Sequence, residues 1–176
     1  MGKTAGRVDR RSRPQLHLSQ LFVCEIASIY TVPLNSLRTN VEELKKAGFG
    51  ENPRYECFVA EVPPEQKSKE GHTIIGYTLF TRTYNTWRRK NIYMDNLYVM
   101  PEFRGRCIGS ELMDRVAEAA WSQGYTQLRM HASAKKPEVI QFQVQRKGED
   151  LTIKEGWHLF RFPNEVLHKL AAQSKF

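Results

Sequence analysis

The sequence predicts an α+β protein with α/β/α layers, in which a mixed, mostly antiparallel sheet carries helices on both faces. Two observations support this fold class. Runs rich in β-branched and aromatic residues follow one another in the middle of the chain, between helical segments. The segment NIYMDNLYVMPEFRGRCIGSELMDR, residues 91–115, then places a strand, a glycine-containing turn and a helix start in direct succession.

Periodicity and turn residues define the elements before this segment. Apolar residues at helical spacing predict two helices, the second with Thr39 or Asn40 as its N-cap and Gly48 as its stop. The stretch PPEQKSKEG marks an exposed loop between two strands, and TWRRKN is the turn that leads into the central strand. The predicted elements are helix 15–30, helix 39–47, strand 55–62 and strand 72–84.

The second half of the chain continues with a strand–helix–strand unit. The central strand is predicted over 92–100, and the helix over 108–123 has apolar residues on one face. Gly124 ends this helix, and strand 127–132 is expected to lie parallel to the central strand through a right-handed connection. The last predicted elements are helix 135–146, a short strand at 157–162 and helix 164–173, capped by Asn164.

Length and composition predict one globular domain, residues 15–176, after a flexible basic arm, residues 1–14. A chain of 176 residues is too short for two ordinary domains. No apolar run approaches the length of a membrane helix, and no apolar stretch follows the basic N-terminal residues as it would in a secretory signal. We therefore expect a cytoplasmic protein without membrane association.

Cysteine spacing and charge distribution exclude several other classes. Cys24, Cys57 and Cys107 stand far apart without metal-ligand spacing, which predicts neither a disulfide framework nor a metal site. The net charge of +8 raises the question of nucleic-acid binding. Five of the 27 Lys and Arg residues lie in the first 14 positions, and the others are spread along the chain without a recognised nucleic-acid module. We therefore do not expect a nucleic-acid partner.

The turn RGRCIGS, residues 104–110, predicts an anion site. A strand end, a glycine turn and a helix start bring unpaired backbone N–H groups to one point, in front of the positive end of the helix dipole. Arg104 and Arg106 add charge that suits a pyrophosphate. The spacing fits neither a Walker loop nor the dinucleotide pattern GxGxxG. Taken alone, the turn is equally compatible with an ordinary basic loop between a strand and a helix.

In its wider context the turn resembles the Arg/Gln-x-x-Gly-x-Gly/Ala loop of the GCN5-related N-acetyltransferase (GNAT) superfamily, with residues 104–109 in its six places. The stretches GFGENPRYECFVAEVPPEQKSKEGHTIIGY, NIYMDNLYVMPEFRGRCIGSEL and EDLTIKEGWHLFRF are similar to the diamine (spermidine/spermine) N-acetyltransferase family and its thialysine-acetylating members. This resemblance covers nearly everything from residue 48 onward. It implies the GNAT acyl-CoA N-acyltransferase fold, acetyl-CoA as the acyl donor and a homodimer.

The resemblance also implies how acetyl-CoA is bound. The central strand would splay from its neighbour and bind the acetyl group and pantetheine through backbone groups, while the turn holds the pyrophosphate. Cys107 replaces the first glycine of the family's loop, and its Cβ restricts the positive-φ geometry that glycine permits. Lys136 stands where the family has a loop asparagine. The implied contacts are Leu97, Tyr98, Val99, Arg104, Gly105, Arg106, Cys107, Ile108, Gly109, Ser110 and Lys136.

The amine site implied by the resemblance has changed in this chain. The family's paired carboxylates on the central strand correspond to Asp95 and Asn96, and its Tyr-Glu pair near the end of the first helix corresponds to Ile29 and Tyr30. Glu155 is retained. We assign Asp95 to amine recognition and proton acceptance. Without the family, Asp95 is also compatible with an ordinary exposed carboxylate at a sheet edge.

The position of the family's tyrosine that serves the departing thiolate is occupied by Gln143. An amide donates a hydrogen bond but supplies no proton, and general acid catalysis typically contributes about 10²–10⁴-fold. Two functions follow from these residues. The first is transfer of acetyl from acetyl-CoA to a primary amine of a thialysine-like amino acid or a di- or polyamine. The alternative is an impaired family member that binds acyl-CoA or dimerises with an active relative.

Overall fold

The computed structural model describes residues 40–86 and 89–174. The chain divides into two compact units, the first ending at His131 and the second beginning at Ala132. The basic arm and the predicted helix 15–30 lie outside the described residues, and the single domain 15–176 stays a prediction. The first unit contains α1 (Val41–Phe49), β1 (Glu56–Glu61), β2 (Ile74–Asn85), β3 (Arg89–Val99), α2 (Ile108–Trp121) and β4 (Gln127–Met130).

The four strands form one sheet in the order β1-β2-β3-β4. The pairs β1–β2 and β2–β3 are antiparallel, whereas β3–β4 is parallel. This confirms the mixed, mostly antiparallel sheet and the parallel strand–helix–strand unit. The central strand begins at Arg89, earlier than predicted, because Arg89 and Lys90 still pair with the end of β2.

Helix α2 lies on the sheet through one apolar stripe. Val116, which is completely buried, packs in a cluster with Phe80, Ile92 and Met94 from β2 and β3. Leu112, one turn earlier, belongs to a second cluster around β1 and β2. The helix therefore fixes the position of the turn that precedes it relative to β3.

Helix α1 begins with a capping box. The Asn40 side chain accepts a hydrogen bond from the Glu43 N–H at 2.9 Å, and the Glu43 carboxylate accepts one from the Asn40 N–H at 3.3 Å. This confirms Asn40 as the N-cap. Gly48 is not the stop, because the helix continues to Phe49. A Cβ on Gly48 would clash with the Tyr55 ring, so close packing explains this glycine.

The second unit contains α3 (Pro137–Gln145), α4 (Leu151–Glu155) and α5 (Asn164–Ala172). Helix α3 confirms the prediction for 135–146. Helix α4 was not predicted, and it begins where the Asp150 carboxylate accepts a hydrogen bond from the Thr152 N–H at 3.0 Å. Asn164 is not a cap, because Pro163 occupies the N-cap position and Asn164 is the first helical residue.

The predicted strand 157–162 is wrong, since the structure assigns no strand to these residues, all of which it describes. Their alternating apolar pattern suits a strand, but a strand also needs a neighbouring backbone to satisfy its N–H and C=O groups. Trp157, Leu159 and Phe160 are instead exposed. Among the helices in the described ranges, none is long and apolar enough to cross a membrane.

Candidate active site

The central strand contains a β-bulge at Asp95. Leu79 of β2 pairs with Asn96 of β3, whereas the next residue, Phe80, pairs with Met94. Asp95 is therefore the extra residue of the bulge, between two successive register pairs. A bulge bends a strand and redirects the side chain at that point. The Asp95 side chain is accordingly exposed, within a strand whose neighbouring residues are buried or half-buried.

Strands β3 and β4 part at the same position. Their parallel register runs from Asn91 opposite Gln127 to Met94 opposite Met130 and then ends. Asp95 and His131 are thus the first residues beyond the last pair. From Asp95 to Val99, β3 has a partner on one side only among the described residues. We call this segment, residues 95–99, the open edge.

The direction of the backbone groups along the open edge follows from the antiparallel ladder. The Met100 N–H donates to the Ile75 carbonyl at 2.9 Å, so its backbone faces β2. Because residues alternate in an antiparallel strand, Tyr98 also faces β2, while Leu97 and Val99 direct their N–H and C=O groups away from it. Two of the three residues expected to bind acetyl-CoA through their backbones therefore have their polar groups on the open side.

Arg104 already uses one of these groups. Its Nε donates to the Val99 carbonyl at 3.0 Å, and its guanidinium lies 5.9 Å from the centre of the Tyr98 ring. Tyr98 is itself buried, with its ring 5.8 Å from that of Tyr77. The contact shows that the Val99 carbonyl accepts a hydrogen bond from the open side, and it ties the open edge to the turn.

The turn after β3 has a left-handed backbone at two positions. Gly105 has φ +75°, and a Cβ there would meet nothing within 4 Å, so the conformation rather than space requires glycine. Cys107 has φ +62° and occupies the N-cap position of α2. A left-handed conformation costs a residue with a Cβ roughly 1–2 kcal/mol. The structure therefore locates the predicted conflict at Cys107, whose thiol is exposed.

The geometry of this turn suits a diphosphate. Cys107, at the N-cap, gives α2 no side-chain hydrogen bond among the described residues, so the first helical N–H groups, of Ile108, Gly109 and Ser110, are not capped by it. Arg106 stands beside them with its guanidinium 5.1 Å from the ring of the buried Phe103. Helix dipole, backbone donors and two exposed arginines favour an anion with more than one charge.

Asn96 supports the Asp95 carboxylate from the protein interior. Its side chain is 3% exposed, and its Nδ2 donates to Asp95 Oδ2 at 3.1 Å. The Asn96 Oδ1 is buried without a hydrogen-bond partner among the described residues. The Thr78 hydroxyl donates to the Asn96 carbonyl at 2.9 Å and fixes the backbone there. Asn96 therefore orients Asp95, and its substrate contact stays a prediction.

A tyrosine–histidine pair that was not predicted lies beside Asp95. The Tyr93 hydroxyl is 2.8 Å from His131 Nδ1, and the two rings are stacked with their centres 6.0 Å apart. Burial, and secondarily the charge of Asp95, raises the pKa of Tyr93, which keeps the phenol neutral. Only the parallel register of β3 and β4 brings these residues together, so their separate positions in the sequence gave no signal.

The remaining predicted site residues belong to other parts of the chain. In the second unit, Lys136 is the N-cap residue of α3, and Gln143 is half-buried in α3 with its carbonyl accepting from the Gly148 N–H at 2.9 Å. Glu155 ends α4 and accepts a hydrogen bond from Trp157 Nε1 at 2.7 Å. Ile29 and Tyr30 lie outside the described residues. The roles of these residues stay predictions.

Comparison with known proteins identifies the class. The Acetyltransferase (GNAT) family matches residues 22–142, which is more than half of the chain. The protein therefore belongs to this family, and it is an acetyltransferase. The solved integron cassette protein VCH_CASS6 from V. cholerae superimposes with a TM-score of 0.71 at 21% identity, covering 98% of this chain and 100% of that one. This likeness confirms the GNAT fold.

Curated relatives narrow the comparison. The chain is 37% identical over 139 residues to the thialysine N-epsilon-acetyltransferase of Bos taurus, covering 79% of this chain and 82% of the relative. It is 31% identical over 138 residues to the Homo sapiens spermidine/spermine N(1)-acetyltransferase-like protein 1, covering 78% of this chain and 20% of that protein. Both names describe transfer of acetyl groups to amines.

Proposed function

We propose that the protein transfers the acetyl group of acetyl-CoA to the primary amine of a small amine, with a thialysine-like amino acid as the preferred acceptor. One observation carries the proposal: the bulge exposes Asp95 where β3 and β4 part, and the open edge runs from there to the glycine turn. A carboxylate that can hold an ammonium group and a turn that suits a diphosphate thus stand at opposite ends of one strand segment.

Acetyl-CoA would bind along the open edge and the turn that follows it. The turn at residues 104–110, with the arginines at 104 and 106, would hold the pyrophosphate through its backbone N–H groups and its positive charge. The outward backbone groups of Leu97 and Val99 would pair with the amide groups of the pantetheine arm, as an added strand pairs with a sheet edge. Arg104 would then release the Val99 carbonyl, which it now holds.

The single carboxylate at the bulge favours an acceptor with one ammonium group near the reaction centre. A polyamine needs negative charges along its length, but the neighbouring position is the neutral, buried Asn96. The net charge of +8 further disfavours the approach of a polycation. An amino acid carries a carboxylate that can pair with a basic side chain. The similarity to the thialysine N-epsilon-acetyltransferase of Bos taurus supports the same choice.

A specific observation also supports the alternative of an impaired enzyme that still binds acyl-CoA. Cys107 holds a left-handed conformation that disfavours a side chain, at the centre of the turn. Gln143, at the position assigned to the family's proton donor, cannot supply a proton. The first change would weaken acetyl-CoA binding without abolishing it, and the second would slow turnover.

A homodimer and a cytoplasmic location belong to the same proposal. Apolar side chains on the second unit support self-association, since Trp157, Leu159 and Phe160 expose 65%, 79% and 78% of their surfaces. Light scattering at two protein concentrations would test the dimer.

Calorimetric titration with acetyl-CoA, followed by a thiol-release assay, separates these functions. The acceptors are thialysine, putrescine, spermidine and spermine, each at two salt concentrations. We expect binding, thiol release and the highest kcat/KM with thialysine. Binding without thiol release from any amine would establish the impaired alternative, and spermine as the best acceptor at both salt concentrations would refute the assigned preference. Absence of acetyl-CoA binding would refute both functions.

A further inference from the structure

We infer that the Tyr93–His131 pair receives the proton that the substrate ammonium loses, so that His131 acts as the base of the reaction; this inference rests on the proposed function. It assigns a role to two side chains that the resemblance did not single out.

Strand geometry places the pair at the reaction centre of the proposed site. The last pair of the parallel register is Met94 with Met130, and the following residues, Asp95 and His131, stand where the pairing of the two strands ends. The hydrogen bond of 2.8 Å between the Tyr93 hydroxyl and His131 Nδ1 joins the two strands where their pairing ends. An ammonium group held by Asp95 would therefore lie next to the imidazole.

The face of the sheet on which these side chains lie is also determined. Leu128 and Met130 pack against the cluster beneath α2. Since side chains alternate along a strand, Arg129 and His131 lie on the other face. Tyr93 is the register partner of Arg129 and contacts His131 on that same face. The pair therefore lies on the face of the sheet opposite the cluster beneath α2, and both of its side chains are half-buried.

Three titratable or charged groups face His131 from the two strands. Asp95 on β3 stabilises an imidazolium by its charge, whereas Arg129 on β4 opposes it. The Arg129 Nε donates to Gln127 Oε1 at 3.2 Å, which directs the guanidinium along its own strand. Tyr93 is a neutral phenol, because burial and then Asp95 raise its pKa. Tyr93 therefore serves as a hydrogen-bond partner of the imidazole.

The base role requires one particular tautomer of His131. When Nδ1 of His131 carries the hydrogen and donates it to the Tyr93 oxygen, Nε2 is the basic nitrogen. The same hydrogen bond persists in the imidazolium and stabilises it. Aspartate carboxylates as a class are weak proton acceptors near neutral pH, whereas imidazole exchanges protons there. Asp95 is thus suited to holding the ammonium, and His131 to deprotonating it.

The protons and bonds balance in this scheme. The ammonium gives one proton to His131 Nε2 and becomes a neutral amine. Its nitrogen attacks the carbonyl carbon of the acetyl thioester, so that a C–N bond forms while the C–S bond breaks. The second nitrogen proton goes to the departing thiolate sulfur, and His131 returns its proton to water. The products are an amide, a thiol and one proton.

The test measures kcat/KM for thialysine as a function of pH in His131→Gln and Tyr93→Phe. His72→Gln and Tyr55→Phe are the matched controls; they remove an imidazole beside Glu70 and a phenol bonded to the Leu44 carbonyl, each away from the Tyr93–His131 pair. We expect His131→Gln to lose about 10²-fold near neutral pH and to regain activity as the pH rises, because free amine then becomes available. Added imidazole should restore part of this loss. Tyr93→Phe should show a smaller loss in the same direction, and the controls should match the unaltered protein.

The pH profiles of the two variants decide whether His131 acts as the base. An unchanged pH profile in His131→Gln, or a loss that is equal at every pH and not restored by imidazole, would overturn the inference. If His131→Gln does not fold, the profile of Tyr93→Phe decides, and an unshifted profile there overturns it. An unaltered protein that releases no thiol with any amine refutes the proposed function and the inference together, whereas an active protein with unaffected variants refutes the inference alone.

Discussion

The two units of the chain differ in how firmly the packing fixes their proposed site residues. In the first unit, Asp95, Tyr93 and the glycine turn are attached to β3 and α2, which bury Met94 and Val116 completely. In the second unit, α3, α4 and α5 contain no buried residue, and Gln143 and Glu155 sit on these helices. Roles in the first unit can be argued from geometry, whereas roles in the second rest on resemblance.

Packing around a motif determines whether its backbone geometry is fixed. The turn at 104–110 acquires meaning because Phe103 is buried on one side of it and Leu112 on the other. The apolar run at 157–162 has no such support among the described residues. We therefore expect substitutions in the first unit to report on the folding core and on catalysis, and substitutions in the second to report on catalysis or association.

The two units should differ most in how much a single substitution lowers the free energy of unfolding. Met94→Ala removes a completely buried side chain and should lower the free energy of unfolding by about 2–5 kcal/mol. Leu167→Ala, at a residue that is 54% exposed on α5, should change it by less than about 0.5 kcal/mol. Urea denaturation followed by circular dichroism measures both. Equal losses would contradict the comparison, and a loss for Leu167→Ala that appears only at high protein concentration would indicate that α5 lies in a dimer interface.

Asp95→Asn should give the next largest effect. It removes the charge at the bulge while keeping the shape of the side chain, so kcat/KM for thialysine should fall by about tenfold to a hundredfold, which corresponds to about 1.4–2.7 kcal/mol. Acetyl-CoA affinity should remain unchanged. The matched control is Glu118→Gln, which neutralises an exposed carboxylate on α2 that pairs with Arg115 at 3.1 Å. A similar loss in both variants would assign the effect to net charge.

The sequence predicted the fold of the first unit because its signals are local. The strand composition, the loop PPEQKSKEG and the stripe of α2 each depend on neighbouring residues, and the parallel unit follows from chain connectivity. The bulge at Asp95 was not predictable, since a single inserted residue leaves the composition of β3 unchanged. The Tyr93–His131 pair depends on strand register, which no local pattern specifies. Strand 157–162 was wrong for the converse reason, because its local pattern has no partner strand within residues 40–86 and 89–174.

Gln143→Tyr tests the role proposed for a residue of the second unit. A tyrosine hydroxyl can serve the departing thiolate, so kcat should rise by up to about tenfold with little change in KM, since the interaction matters mainly in the transition state. The matched control is Gln141→Tyr, at an exposed position on the same helix, α3. Steady-state kinetics with thialysine measures both variants. An unchanged kcat with normal coenzyme A binding would show that position 143 is not aligned with the thiolate or that another donor already serves it.

Replacing Cys107 by glycine should have the smallest effect on acetyl-CoA binding and on stability. The residue already adopts φ +62°, so the backbone geometry of the turn is reached despite the side chain. Cys107→Gly should therefore raise stability by about 0.5–1 kcal/mol through relief of strain. Acetyl-CoA binding should tighten only about two- to threefold, since only the obstruction by Cβ is removed from the approach of the pyrophosphate.

Cys107→Ala is the decisive control, because it removes the thiol but keeps Cβ and the unfavourable φ. Calorimetric titration with acetyl-CoA should show tighter binding in Cys107→Gly alone. Tighter binding in both variants would assign the effect to the thiol. Unchanged or weaker binding in Cys107→Gly would show that the turn binds the pyrophosphate without hindrance from Cβ.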